Sequence, residues 1–121
     1  MTARQLLTLD LFGALGTAAT TGGLFATGWL DVGIPHWILA IMALIALAFA
    51  FFDAGGLMLA PDARTPLAVI AVLNVAYCCL SLVVCLIYTS QLTPLGIAYF
   101  TLEALILIPL AWFEWNVCSR P

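Results

Sequence analysis

Between Leu6 and Asn116 the chain is almost continuous apolar sequence, cut three times by short polar stretches that each contain proline. The breaks are LDVGIPH at 30–36, APDARTP at 60–66 and TSQLTP at 89–94. They leave four runs, about 6–29, 37–60, 67–88 and 94–116. A run of roughly 17–25 apolar residues matches the hydrocarbon thickness of a bilayer. Inside lipid every backbone N–H and C=O must be satisfied within its own segment, so such a run is a helix. The breaks are too short for anything but turns between adjacent helices running in opposite directions. The expected fold is therefore an all-α membrane protein: one domain over 1–121, an antiparallel four-helix transmembrane bundle.

Charge usage excludes the soluble alternative. Hydrophobic residues make up 65% of the chain and charged residues 7%, against about 25% charged in an average soluble domain. No basic patch exists to track phosphates, so nucleic acid is not an expected partner. The first run is expected to be a retained helix and not a signal peptide: its basic flank is Arg4 alone, it is too long, and no clear small-residue cleavage site precedes Asp31. The three arginines are Arg4, Arg64 and Arg120. They flank the first run, the 60–66 break and the last run, so the positive-inside rule puts both termini in the cytoplasm. The expected location is the cell (inner) membrane, multi-pass. The expected partners are the lipid bilayer and either a second copy or another membrane protein, because only five residues follow Asn116.

The polar residues inside the runs are the candidate site. An ionisable side chain at the centre of a span costs roughly 2.5–3.5 kcal/mol on insertion scales and so faces other helices or a wet cavity. Glu103 and Glu114 stand eleven residues apart, nearly on one helix face. Tyr99 is one turn before Glu103, at hydrogen-bonding spacing. Pro109 interrupts the ladder between the two acids and frees the carbonyl of Leu105. In the third run Asn74, Cys78, Ser81, Cys85 and Tyr88 form a narrow stripe, with Tyr77 at its edge. Asp53 is the acidic member of an otherwise apolar seam of Met42, Ala46, Phe49 and Gly56. In the first run Gly13, Thr17, Thr20 and Thr27 recur at a spacing near 3.5, with Gly16 and Gly23 beside them and Asp10 continuing the stripe. Small residues in such a stripe let helix backbones approach closely.

Depth can be read from the helical rise. Asp10, Asp53 and Asn74 lie roughly 6, 9 and 10 Å from the cytoplasmic ends of their helices, Glu114 lies at that end, and Glu103 stands about 16 Å deeper. If the faces converge, they form an acidic vestibule open to the cytoplasm and closed by Glu103. No arginine lies within a run, so these carboxyls have no basic partner there. A neutral Glu103 would donate a hydrogen bond to Asn74 or a tyrosine.

The remaining chemistry is sparse. Cys78, Cys79 and Cys85 sit in an apolar run and read as free thiols, with no C-x-x-C in the chain. Cys118, just past the last run, is a weak palmitoylation candidate. His36 has no second ligand at metal-binding spacing. Asp10, Asp53 and Glu114 would suit only an oxygen-liking cation such as Mg²⁺, and they form no recognised motif. No metal, cofactor or catalytic residue is expected. The expected function is non-catalytic binding of a ligand or partner at an inward-facing acidic site of Glu103, Tyr99, Asn74, Asp53, Asp10, Glu114 and Tyr77. The alternative is a small proton-coupled transporter using the embedded glutamate. In size and four-span plan the chain is similar to small multidrug-resistance transporters, which also use a membrane-embedded glutamate. That family has its acid in the first span, where this chain has Gly13, Gly16 and threonines, with Asp10 nearer the end, so the likeness of plan carries no residue across.

Overall fold

The computed structural model describes residues 2–59 and 62–119. Ala60, the expected end of the second run, and Arg120, the third arginine, lie outside them, as does the side chain of Cys118. The described residues are all-helical, with four helices. Helix α1, Ala3–Ala18, continues directly into a π-helical segment, Ala19–Phe25. It is followed by α2, His36–Leu59, α3, Arg64–Ile87, and α4, Pro94–Ser119. Helices α2, α3 and α4 (from Pro94 to Val117) are each long and apolar enough to cross a membrane.

The helix starts follow from local chemistry. Thr2 and Gln5 form a capping box before α1: Thr2 Oγ1 accepts the Gln5 N–H at 3.2 Å and Gln5 Oε1 accepts the Thr2 N–H at 2.9 Å. Asp62 Oδ1 accepts the Arg64 N–H at 3.0 Å at the entry to α3. Thr93 Oγ1 accepts the Gly96 N–H at 3.2 Å, with Pro94 at the first helical position, where its missing N–H costs nothing. Helical structure in the first run stops at Phe25 and not at Trp29, because Gly28 takes a φ of +83° and turns the chain.

Helix α1 packs along α2, and α3 along α4, while α1 touches α4 only sparingly. The start of α1 is tied to the end of α2 by Arg4 Nη2, which donates to the Leu57 carbonyl at 2.6 Å, a cation on the free carbonyls of a helix C-terminus. The other end is closed by two loops. Thr93 donates its hydroxyl to the Asp31 carbonyl at 2.7 Å and its N–H to the Val32 carbonyl at 3.2 Å. Gly33, at φ +87°, presses its α-carbon against the Gln91 carbonyl, where a Cβ would have no room.

Buried apolar side chains form two clusters. Phe25, Val32, Ile34, Leu39, Val84 and Phe100 belong to the cluster beneath those loops. Leu6, Leu7, Ala63, Leu67 and Ile70 fill the opposite end, beside Arg4 and Arg64. The small-residue stripe of α1 does not make the close contacts expected of it. A Cβ on Gly13, Gly16 or Gly23 would meet nothing within 4 Å, whereas one on Gly22, off the stripe, would lie 3.1 Å from Ala43 Cβ.

This contrast predicts opposite outcomes for two glycine substitutions. Gly33→Ala is expected to destabilise the fold by at least about 1 kcal/mol, the left-handed penalty for an L-residue before any clash is added. Gly13→Ala should be neutral or stabilising by up to about 1 kcal/mol, since alanine is the better helix former. Equilibrium unfolding in mixed micelles checks both, and a tolerated Gly33→Ala would mean that the two loops do not dock as described.

Candidate functional site

The polar side chains are buried because each occupies the same face as its helix's apolar contacts. On α2 the buried positions are Leu39, Met42, Ala46, Ala50 and Asp53, spaced by three and four. On α3 they include Ile70, Asn74, Tyr77, Ser81 and Val84 at the same spacing. Asp10 follows Leu6 and Leu7 on α1, and Glu114 follows Ala111 on α4.

These faces bring one polar residue from every helix into a first tier. Asn74 Nδ2 donates to Asp10 Oδ1 at 2.8 Å and to Glu114 Oε1 at 3.0 Å. Asp53 lies beside Asp10, with Glu114 also near. The exposures are 3% for Asp10 and 0% for both Asp53 and Glu114. Neither Asp53 oxygen meets an N–H or O–H donor, nor do Asp10 Oδ2 and Glu114 Oε2. A contact between the Asp10 and Asp53 carboxyls becomes a hydrogen bond only when one of them carries a proton.

A second tier lies further from Arg4. Ser81 Oγ donates to Glu103 Oε1 at 3.3 Å. The Tyr99 hydroxyl is 3.3 Å from Thr21 Oγ1, with Glu103 as its further polar neighbour. The Tyr99 ring meets Phe25 and Phe100 edge-on at 4.8 and 5.1 Å. Tyr77 packs edge-on against Phe49 at 6.0 Å, and its buried hydroxyl lacks a hydrogen-bond partner, as does Glu103 Oε2. Glu103 and Glu114 both bond to α3 across Pro109, so the proline does not turn one acid away from the other's neighbour.

The expected open vestibule is not formed. The first-tier acids are sealed at the Arg4 end by Leu6, Leu7, Leu67 and Ile70, each at most 1% exposed. These apolar residues occupy the first two turns of α1 and α3, on the Arg4 side of the carboxyls. Open space lies instead along the side of the bundle. A cavity of about 290 Å³ runs between α1 and α4 and reaches both tiers: Asp10 and Asn74 line one part, Tyr77, Tyr99 and Glu103 another. Gly13 and Gly16 of α1 and the outward-facing Leu102 and Ile106 of α4 also line it. A second cavity of about 450 Å³ lies between α3 and α4, and Glu103 borders it too, with Cys78, Ser81, Cys85 and Pro109.

Two residues that belong to these tiers are absent from the sequence-derived site. Thr21 is fully buried and meets Tyr99. A regular helix puts Thr20 and Thr27 on the inner stripe, but the π-helical segment changes the phase and brings Thr21 and Phe25 inward. Ser81 is recognisable in the sequence, seven residues from Asn74 on one face, yet its partner Glu103 requires tertiary information. Among the described residues no three His, Cys, Asp or Glu side chains converge in a metal-binding arrangement, and Asp10, Asp53 and Glu114 therefore do not make the oxygen cage their chemistry would suit. Comparison with protein-family models, with curated proteins and with solved structures returned no match.

If the Asn74 amide holds the first tier together, Asn74→Leu should cost about 2–4 kcal/mol, because it strips a donor from each of two buried carboxyls. A double-mutant cycle with Asp10→Asn should give a coupling energy of about 0.5–3 kcal/mol. Unfolding titrations in mixed micelles measure both. A neutral Asn74→Leu would show that the amide bridge contributes nothing.

Proposed function

We propose that this chain is an integral membrane protein of the cell (inner) membrane, an antiparallel four-helix bundle that binds a ligand among its helices without catalysing a reaction. The observation that carries the ligand reading is the pairing of a buried, cation-free polar core with an open cavity beside it. A purely structural polar tier needs no adjoining space, and a docking surface for a partner protein needs no cavity.

Several features support the membrane reading. Outward-facing residues of α2, α3 and α4 are largely Leu, Ile, Val and Phe, a surface that water would not tolerate over such an area. Tryptophans stand at both ends: Trp29, 81% exposed, and Trp37 near the loops that cover one end, Trp112 and Trp115 near the end of α4. That is the distribution of interfacial anchors. Helix α1 with its π-helical continuation reaches roughly 30 Å, enough to cross with the other three. Arg4 and Arg64 share one end, and at the opposite end the loops, with Asp31, and the start of α2, His36, contain no arginine or lysine. The positive-inside rule then turns the Arg4 end, and the first tier with it, toward the cytoplasm.

A second reading, proton-coupled transport, rests on Glu103. This carboxyl borders cavities on two sides of α4, so one group could exchange a proton for a ligand and be reached from either side.

Native mass spectrometry of the protein released from its own membranes is expected to retain a small amphiphile in the wild type and to lose it in Glu103→Gln. A wild-type bundle that folds, carries nothing small, and instead co-purifies in fixed ratio with another membrane protein would end the ligand reading. For transport, proteoliposomes with an imposed pH gradient should release protons when ligand is added. Equal release from Glu103→Gln would remove that reading and leave binding alone.

A further inference from the structure

The cavity between α1 and α4 has a chemistry more specific than its shape, and the proposal that follows rests on the ligand-binding reading above. Three residues of its lining carry oxygens with no hydrogen-bond partner: Asp10 Oδ2, Tyr77 Oη and Glu103 Oε2. Asp10 and Tyr77 are themselves more than nine-tenths buried, at 3% and 4% exposure. The two carboxyl oxygens accept hydrogen bonds, and the Tyr77 hydroxyl either accepts or donates. The titratable groups packed around the site are Asp10 on α1, Asp53 on α2, Tyr77, Cys78 and Cys85 on α3, and Tyr99, Glu103 and Glu114 on α4. No basic side chain from the described residues lines the cavity. The missing complement is an N–H donor that carries positive charge.

The remaining walls fit the rest of such a molecule. Phe49, Tyr77 and Tyr99 present aromatic rings to the same space, and rings stabilise an adjacent ammonium through their quadrupoles. The volume of about 290 Å³ would hold roughly ten water-sized groups. Access is from the side. Apolar clusters close both ends of the bundle, whereas Gly13 and Gly16 have no side chain and no neighbour over them. In a bilayer that opening faces lipid chains.

We propose that the α1–α4 cavity binds an organic ammonium ion, an apolar aromatic body bearing a primary or secondary amine, which enters sideways from the bilayer between Gly13–Gly16 and Leu102–Ile106. Protons and the ammonium compete for the same oxygens, so affinity rises with pH until the amine itself loses its proton.

Calorimetry on the full chain in neutral detergent tests this with 1-naphthylmethylammonium and its uncharged counterpart 1-naphthylmethanol. The ammonium is expected to bind the wild type, and the alcohol at least about tenfold more weakly, as loss of a charge-assisted hydrogen bond implies. Glu103→Gln should weaken the ammonium by a similar factor. Gly13→Leu places a side chain in the opening, where a Cβ meets nothing within 4 Å, so it should abolish binding in a bundle that still folds. Equal binding of alcohol and ammonium, both lost in Gly13→Leu, would overturn the charge selectivity while leaving a ligand site in place. Ammonium binding that survives Gly13→Leu would overturn the lateral route and with it the proposal. No binding of either compound overturns it as well, and the ligand reading is then decided by what the native protein carries from its membrane.

Discussion

The amide of Asn74 is the interaction on which this bundle depends. Its two N–H groups reach Asp10 on α1 and Glu114 on α4, and those two carboxyls in turn neighbour Asp53 on α2. In water a domain of this size would be assembled by burying apolar surface. In lipid, the setting proposed for this chain, that driving force between helices is missing, and packing with interhelical hydrogen bonds takes its place. One amide that joins α3 to both α1 and α4 is worth more to such a fold than its bond count suggests, because α1 and α4 otherwise touch sparingly. The same amide has only two donors for three carboxyls. The tier is held together and remains short of protons or donors at once.

That shortage gives the adjoining cavity its meaning. The stripe of Gly13, Gly16, Thr17 and Thr20 has the composition of a close helix contact, yet no helix fills it. Helix α4 offers Leu102 and Ile106 near it and stays apart. A gap beside a half-satisfied polar core is costly in a structural element, since buried polar atoms without partners cost about 1–3 kcal/mol each. A group that supplies donors from outside the chain removes that cost. That is the cost the proposed ligand would relieve.

Much of this was legible in the chain itself, for reasons that differ residue by residue. The helices follow from apolar run length and from prolines at the breaks, both of which act locally. The similar depth of Asp10, Asp53, Asn74 and Glu114 follows from a constant helical rise counted from the loops. Their meeting did not follow, because it needs the rotation of all four helices. Thr21 was hidden by the π-helical segment, whose phase no three-and-four pattern anticipates. The closed end was hidden too: Leu6, Leu7, Leu67 and Ile70 look like ordinary span residues until they are seen to cover the carboxyls. The glycines of α1 misled in the opposite direction, since the composition that permits contact also permits space.

Glu103 differs in kind from the first-tier acids. Asp53 and Glu114 are wholly enclosed, and their neighbours are other carboxyls and one amide, so changes there are felt first as changes in helix packing. Glu103 is only partly buried and is held by neutral hydroxyls alone, Ser81 at 3.3 Å and Tyr99 beside it. It stands where two cavities approach each other through the wall of α4, six residues before Pro109, which denies the Leu105 carbonyl its usual N–H partner. A weakly held carboxyl on a helix with a broken hydrogen-bond ladder can change its partner with little loss of fold energy. The first tier, by contrast, fixes the helices on either side of it. Under the proposed function, stability and responsiveness fall to different carboxyls about 16 Å apart along one helix, and a ligand that engages Glu103 need not disturb the amide bridge between α1, α3 and α4.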